Sequence, residues 1–220
     1  MTSRYSSFRR FTPIALAAAL LALPQSGRAQ SPVYSGEAVV ASAKVLGLVN
    51  VSLEDTGPLP SSGGSLSTQL LQASVPNLLS LNLLSASTSG ANNQTNSAAS
   101  VANVSVSAVG IYITASVLDS NATASCSPGQ ASASGNSTIA DLTVNGLSIT
   151  VTGAPNQTIP LLVGSLVINE QISTISTSPS LAVGDMLVNA LHLSVLGIAD
   201  VVISSSHAGL KCQGGAPPPQ

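Results

Sequence analysis

The chain has 220 residues, of which 44% are hydrophobic and only 6% are charged, whereas roughly a quarter of the residues in an ordinary globular domain are charged. From Gln30 onward there are two lysines, no arginine and eight acidic residues, a formal net charge of −6. Two lysines cannot neutralise a run of phosphates, so nucleic acid and anionic membrane surfaces are very poor partners. With so few titratable side chains, few residues could act as general acids or bases in catalysis. The sequence therefore predicts a protein that is not an enzyme and has no cofactor.

The first 29 residues have the order of a secretory signal peptide. Three arginines precede an apolar stretch at 14–23, and a small-residue site ends at Ala29, which is the pattern of an exported precursor. A membrane anchor is the alternative, but ten apolar residues are too few to cross a hydrocarbon core that needs roughly 20. We therefore predict cleavage after Ala29 and export, with no transmembrane segment in the mature chain.

Two cysteines fit an oxidising compartment. Cys126 and Cys212 are the whole complement and lie 86 residues apart, and an even count in an exported chain predicts a disulfide. Such a loop would stabilise the fold by about 4–5 kcal/mol in the chain-entropy account. Metal ligation is the alternative, but the chain lacks the closely spaced ligand pairs of zinc sites, so we predict no metal.

Alternation with a period of two dominates the rest of the chain and predicts β-strands. In 102–108 the even positions are apolar, and in 111–117 the odd positions are apolar. The parity changes around Gly110, which we interpret as a bulge or bend at a glycine. Two further alternating stretches are 187–193 and 199–204.

Glycine and asparagine mark the positions where the chain changes direction. Asn145 and Gly146 stand between two alternating runs, the strongest local signal for a two-residue hairpin. A short pattern of the type Val-Leu-Gly-Leu recurs at 45–48, 108–111 and 195–198. The unequal spacings do not define a solenoid repeat, and we interpret the three copies as glycine bends within separate strands.

The predicted fold is an all-β, antiparallel β-sandwich of small apolar residues, with an irregular β-roll or β-solenoid as the alternative. Small side chains let two sheets lie close together, which favours a sandwich over a wide barrel. We expect one all-β domain over 30–212 and a flexible Pro/Gly-rich tail over 213–220. Polar, small-residue segments predict loops at 58–64, 85–100, 125–136 and 173–180.

Two alternatives to a structural or adhesive protein depend on a few side chains. A secreted hydrolase would use Glu170 or Asp200 together with His192 or His207, because acid–base work needs a carboxylate and an imidazole at one place. No G-x-S-x-G element is present, and the alternation places His192 on the polar side of its strand.

The second alternative is a glycan or small-ligand binding module. Tyr34 and Tyr112 are the only aromatic residues after Gln30. Sugar and ligand sites usually offer an apolar or aromatic surface, so both rings would have to lie together on one exposed face.

Several short segments, taken in order, resemble the bacterial choice-of-anchor P family. They run from about residue 35 to 212 and comprise 55–60, 75–79, 87–90, 151–156, 168–171, 188–192, 200–203 and 206–207. The resemblance implies an exported domain that different members join to different surface-anchoring signals, and it implies no catalytic residues. This chain ends in proline-rich residues, with neither a sortase motif nor an apolar tail.

Together these observations predict an exported structural or adhesive protein of the cell envelope or the extracellular space. Strands with so little charge have poorly protected edges. We therefore expect self-association or binding to other envelope components.

Overall fold

In the computed structural model, residues 31–47, 49–127 and 129–214 are described. The predicted signal peptide and the tail after Gly214 lie outside these residues. Strands form throughout the described chain, and no helix occurs in it. The strands are β1 (Val33–Val45), β2 (Val49–Asp55), β3 (Gly64–Val75), β4 (Leu79–Ala91), β5 (Gln94–Ala108), β6 (Ile111–Ser127), β7 (Gln130–Ala140), β8 (Thr143–Val144), β9 (Leu147–Ser148), β10 (Gln157–Leu161), β11 (Gly164–Thr177), β12 (Ala182–Val195) and β13 (Ala199–Cys212).

Two antiparallel sheets pack face to face, so the predicted β-sandwich is confirmed, and a β-roll or β-solenoid is not formed. The first sheet has the order β10-β11-β12-β13-β1-β2. The second has the order β3-β4-β5-β6. On the far side of β6, its first residues pair with β8 and its second half pairs with β7. β9 pairs with the other side of β8. β12 and β13 lie over β6, whereas β1 lies over β4 and β5.

The core is aliphatic over most of the strand length and contains buried hydroxyl groups at one end. Its larger part is aliphatic, with fully buried side chains such as Leu81, Ile113 and Leu193. At the opposite end hydroxyl groups also face inward: the hydroxyls of Thr88 and Ser97 are 2.7 Å apart and both residues are buried. Hydrogen-bonded hydroxyls can be buried at little cost, so serine and threonine form part of the core at this end.

These inward-facing hydroxyls explain why some predicted loops are wrong. The segments 85–100 and 125–136 are almost entirely strand: β4 reaches Ala91, β5 starts at Gln94, and β7 starts at Gln130. Serine and alanine alternate there, and because both are small, the alternation carries little hydrophobic contrast. The predicted loop at 173–180 is likewise too long, since β11 continues to Thr177. The loop at 58–64 is formed apart from Gly64.

The three Val-Leu-Gly-Leu patterns are hairpin turns, not bends within strands. They join β1 to β2, β5 to β6 and β12 to β13. Val109 and Gly110 have φ angles of 51° and 79°, as the two central residues of a tight hairpin turn require. The parity change at Gly110 therefore marks a new strand and not a bulge. The hairpin predicted at Asn145 and Gly146 is confirmed.

A row of left-handed residues crosses the first sheet at mid-height. Glu54, Ser204 and Asn169 have φ angles of 48°, 56° and 52°, and the strand registers place Glu54 and Ser204 on either side of Val40. The pleat reverses at this row. In β13, for example, 199, 201 and 203 are buried before it and 206, 208 and 210 after it.

Candidate functional site

An imidazole lies between two carboxylates on the outer face of the first sheet. His192 of β12 has its Nδ1 atom 2.9 Å from Oε2 of Glu170 on β11 and its Nε2 atom 3.1 Å from Oδ2 of Asp200 on β13. These are three of the four residues that the hydrolase hypothesis proposed. The alternation of β12, with Leu191 and Leu193 buried, turns His192 outward as predicted.

Buried amides hold Glu170 in place. Asn189, its cross-strand neighbour, donates a hydrogen bond from Nδ2 to Oε2 of Glu170 at 2.6 Å. Asn169 donates to the carbonyl oxygen of Gly153 at 3.1 Å and accepts from Gln171 at 2.9 Å. The positive φ of Asn169, a residue that tolerates this conformation, reverses the pleat just before Glu170. The carboxylate therefore has a fixed position on the sheet.

The two carboxylates favour the protonated form of His192. Burial by itself lowers the pKa of this imidazole, but the hydrogen bond to Asp200 and the charge and hydrogen bond of Glu170 together outweigh burial, so its pKa is raised above the ordinary value. An imidazolium with a carboxylate on each side joins three neighbouring strands through two ion pairs. In this state both ring nitrogens are donors.

A second imidazole–carboxylate pair lies beyond the row of left-handed residues on the same sheet. Nε2 of His207 is 2.9 Å from Oδ2 of Asp185, and His207 is the cross-strand partner of Glu37. Burial, followed by the negative charge and hydrogen bond of Asp55, raises the pKa of Glu37, and the charge of His207 partly offsets this rise. His207 therefore belongs to a different cluster from His192. Of the carboxylate–imidazole pairs that the hydrolase hypothesis proposed, those of His192 with Glu170 and with Asp200 are brought together, and those of His207 are not.

The geometry of His192 does not suit nucleophilic or metal chemistry. Nucleophilic catalysis needs a hydroxyl or thiol at one ring nitrogen and an orienting acid at the other, whereas both ring nitrogens here contact carboxylates. Within the described residues, no group of three or more His, Cys, Asp or Glu side chains is arranged to hold a metal ion. The arrangement instead cross-links β11, β12 and β13.

The two tyrosines lie apart. Tyr34 is buried, and its hydroxyl accepts a hydrogen bond from the backbone N–H of Asn93 at 3.2 Å. Tyr112 is exposed beside the Asn145 turn, to whose side chain its backbone N–H donates at 2.9 Å. The aromatic platform that a glycan site would need is therefore not formed, and the hypothesis that used these two rings is wrong.

The predicted cysteine pair is at bonding distance. Cys126 at the end of β6 and Cys212 at the end of β13 form a disulfide with a Cα–Cα distance of 6.4 Å. This bond joins the two sheets at the end of the sandwich where the hydroxyl groups are buried, because Cys126 packs against the small cluster around Tyr34 and Leu210. No other cysteine is present in the chain.

Sequence reasoning did not find the supporting amides. Asn169 and Asn189 are polar residues inside strands that are otherwise apolar at their buried positions, and this is the only signal that could have marked them. Comparison of the chain with protein-family models, curated proteins and solved structures found no match. Among the described residues there is no helix long and apolar enough to cross a membrane.

Proposed function

We propose that this chain is an exported, non-enzymatic structural or adhesive protein of the envelope or extracellular space, and that it self-associates through the free edge of β3. The observation that carries this proposal is the composition of that edge. β3 has twelve residues and includes neither a charged residue nor a proline. Unpaired strands usually carry such residues, which prevent a second chain from adding to the sheet.

Both edges of the first sheet differ from β3. The first sheet ends on one side at β2, which carries Glu54 and Asp55, and on the other at β10, which contains Pro160. β3 pairs with β4 along its whole length and has no strand on its other side in the described part of the chain. The hydroxyl of Thr68 donates to Glu54 of the facing sheet, but this side-chain hydrogen bond does not pair the backbone of β3 with another strand.

An apolar patch lies beside this edge. Leu71, which is 78% exposed, is directly across from Leu83, and Leu70 next to it is also exposed. Apolar side chains next to an unpaired backbone give an added strand both hydrogen bonds and buried area. β7, the other long edge of the second sheet, is also free of charge and proline, so a head-to-tail contact could extend this sheet at both ends.

Four further observations support export and a role without catalysis. The basic, apolar and small-residue order of 1–29 indicates secretion, and a disulfide suits an oxidising compartment. Both nitrogens of His192 are engaged by carboxylates. The resemblance to the choice-of-anchor P family agrees with an exported protein whose attachment to the surface can vary.

Sedimentation velocity and electron microscopy of residues 30–220 test this proposal. We expect oligomers or filaments that grow with concentration. A Leu71→Glu variant should remain monomeric, because a charge beside the edge opposes strand addition. Leu162→Glu, also at an exposed leucine but in the turn between β10 and β11, should assemble like the unmodified protein. Persistent monomers of the unmodified protein at high concentration would contradict the proposal.

A further inference from the structure

We propose that one end of the sandwich inserts its turn tips into the surface of a lipid bilayer with zwitterionic headgroups. We call this surface the apolar end, and it comprises Leu46, Val109, Leu162, Leu196 and Ile198. These residues lie in the turns β1–β2, β5–β6, β10–β11 and β12–β13. The inference concerns a different surface from the β3 edge and does not rest on self-association.

The turns of both sheets meet at this end. Ser204 of β13 donates to the carbonyl oxygen of Ala99 of β5 at mid-height, and Thr95 of β5 donates to the carbonyl oxygen of Gly209 of β13 further along. β5 and β13 therefore run in opposite directions, so the end of β5 and the start of β13 lie together. Hence the Val109 turn and the β12–β13 turn are on the same side of the molecule.

The turns of the first sheet form a fixed row. The backbone N–H of Leu46 donates to the carbonyl oxygen of Ile198 at 2.8 Å, and the N–H of Leu196 donates to the carbonyl oxygen of Val163 at 3.2 Å. Neighbouring turns are thus hydrogen-bonded to one another across the end of the sheet. Their leucine tips project from one rigid surface.

The tip residues are apolar, whereas residues in turns are normally small or polar. Turn positions favour Gly, Asn, Asp, Pro and Ser, yet Leu46 and Leu196 are 73% and 78% exposed and Leu162 is completely exposed. Val109 has a φ of 51°, which is strained for a β-branched residue. Sites where local preferences are broken without a gain in packing are candidates for function. Burial of these side chains in the hydrocarbon of a bilayer would remove their apolar surface from water.

Lipid fits this surface better than a second copy of the chain. A hollow lies between the β1–β2 and β12–β13 turns, where Leu46, Gly197 and Ile198 are among the residues that line it, so the surface is uneven there. Fluid acyl chains can fill such gaps, whereas a rigid protein would leave voids and lose contacts. Saturated aliphatic tips also lack the Trp, Arg and Met side chains typical of protein interfaces.

The polar groups near the tips favour a neutral headgroup layer. The only charged side chains that line the hollow are one cation, Lys44, and one anion, Asp200. The single exposed aromatic residue of the described chain, Tyr112, lies beside the Asn145 turn at the same end, and tyrosine is enriched at membrane–water interfaces. The net charge of −6 after Gln30 opposes binding to anionic lipid.

Flotation of residues 30–220 with phosphatidylcholine vesicles tests the inference. Every protein in this assay carries Leu71→Glu, so that self-association through the β3 edge does not affect flotation. We expect the Leu71→Glu protein to float with the vesicles. Addition of Leu162→Glu and Leu196→Glu should reduce the bound fraction at least about tenfold, because charges enter hydrocarbon poorly. The bound fraction should fall when anionic lipid is added.

Two results would overturn the inference. One is failure of the Leu71→Glu protein to float, or equal flotation after the two tip substitutions, with circular dichroism showing that both proteins are folded. The other is a dimer that forms without lipid and is lost with the tip substitutions while no vesicle binding occurs, since this would assign the apolar end to a second copy of the chain. If the unmodified protein does not self-associate through β3, the flotation expected of the Leu71→Glu protein is unchanged.

Discussion

The His192 cluster gives a quantitative prediction about stability. Replacing His192 by glutamine removes the imidazolium and leaves Glu170 and Asp200 without a cation between them. Glu170 is 19% exposed and His192 is 23% exposed, so their charged hydrogen bond should contribute about 1.5 kcal/mol. Asp200 is 56% exposed, and solvent screening reduces its share to about 0.5 kcal/mol. We expect a loss of about 2 kcal/mol in the free energy of unfolding.

The same cluster predicts how this loss depends on pH. The pKa of His192 is raised in the folded protein, whereas an unfolded histidine titrates near about pH 6.5. The folded state therefore binds the proton more tightly. The contribution of His192 is fully present below about pH 6.5 and is lost as the pH rises through the folded pKa. The difference between His192→Gln and the unmodified protein should thus be large at pH 6 and small at pH 9.

Urea unfolding followed by circular dichroism between pH 6 and 9 measures this difference. Asp200→Asn is the matched control, because it removes only the more exposed partner and leaves the contact of His192 with Glu170. It should cost about 0.5 kcal/mol near pH 6. A His192→Gln penalty that is the same at pH 6 and pH 9 would refute the view that the imidazolium stabilises the sheet.

Two further predictions concern the disulfide and the buried hydroxyls. Changing both Cys126 and Cys212 to alanine should lower the free energy of unfolding, measured with urea, by about 4 kcal/mol. Alkylation of the unmodified protein without reductant should add no mass. Alkylated thiols would contradict the disulfide. Ser206→Ala should stabilise the protein by about 1 kcal/mol, because the Ser206 hydroxyl is buried without a hydrogen-bond partner among the described residues. Ser204→Ala should instead destabilise it by about 1–3 kcal/mol, since its hydroxyl donates to the carbonyl oxygen of Ala99; equal effects of the two substitutions would count against the hydrogen-bond assignment.

The fold class could be predicted because the aliphatic strands alternate clearly. In β5 and β6, Val104, Val106, Ile111 and Ile113 are buried as the period of two indicates. The serine- and alanine-rich strands could not be recognised, because Thr95 and similar hydroxyl residues face inward and make hydrogen bonds that become visible only once the opposite sheet is in place. A hydrophobicity pattern does not record such long-range partners.

The candidate site could be predicted only in part. The outward position of His192 followed from its neighbours in β12, but its contacts with Glu170 and Asp200 depend on the order β11-β12-β13. His207 is close to Asp200 in sequence, but its imidazole contacts Asp185 of the neighbouring strand, and Asp200 contacts His192. The left-handed conformation of Asn169, which sets the face of Glu170, has no clear signature in the sequence.

Hydrogen exchange at β3 reports directly on self-association through this edge. In an isolated molecule, the β3 amides that do not bond to β4 should exchange rapidly, because no strand covers them in the described chain. We expect these amides to become protected as the concentration of residues 30–220 rises, and Leu71→Glu to abolish this protection. Oligomers whose β3 amides exchange as fast as those of the monomer would contradict this expectation.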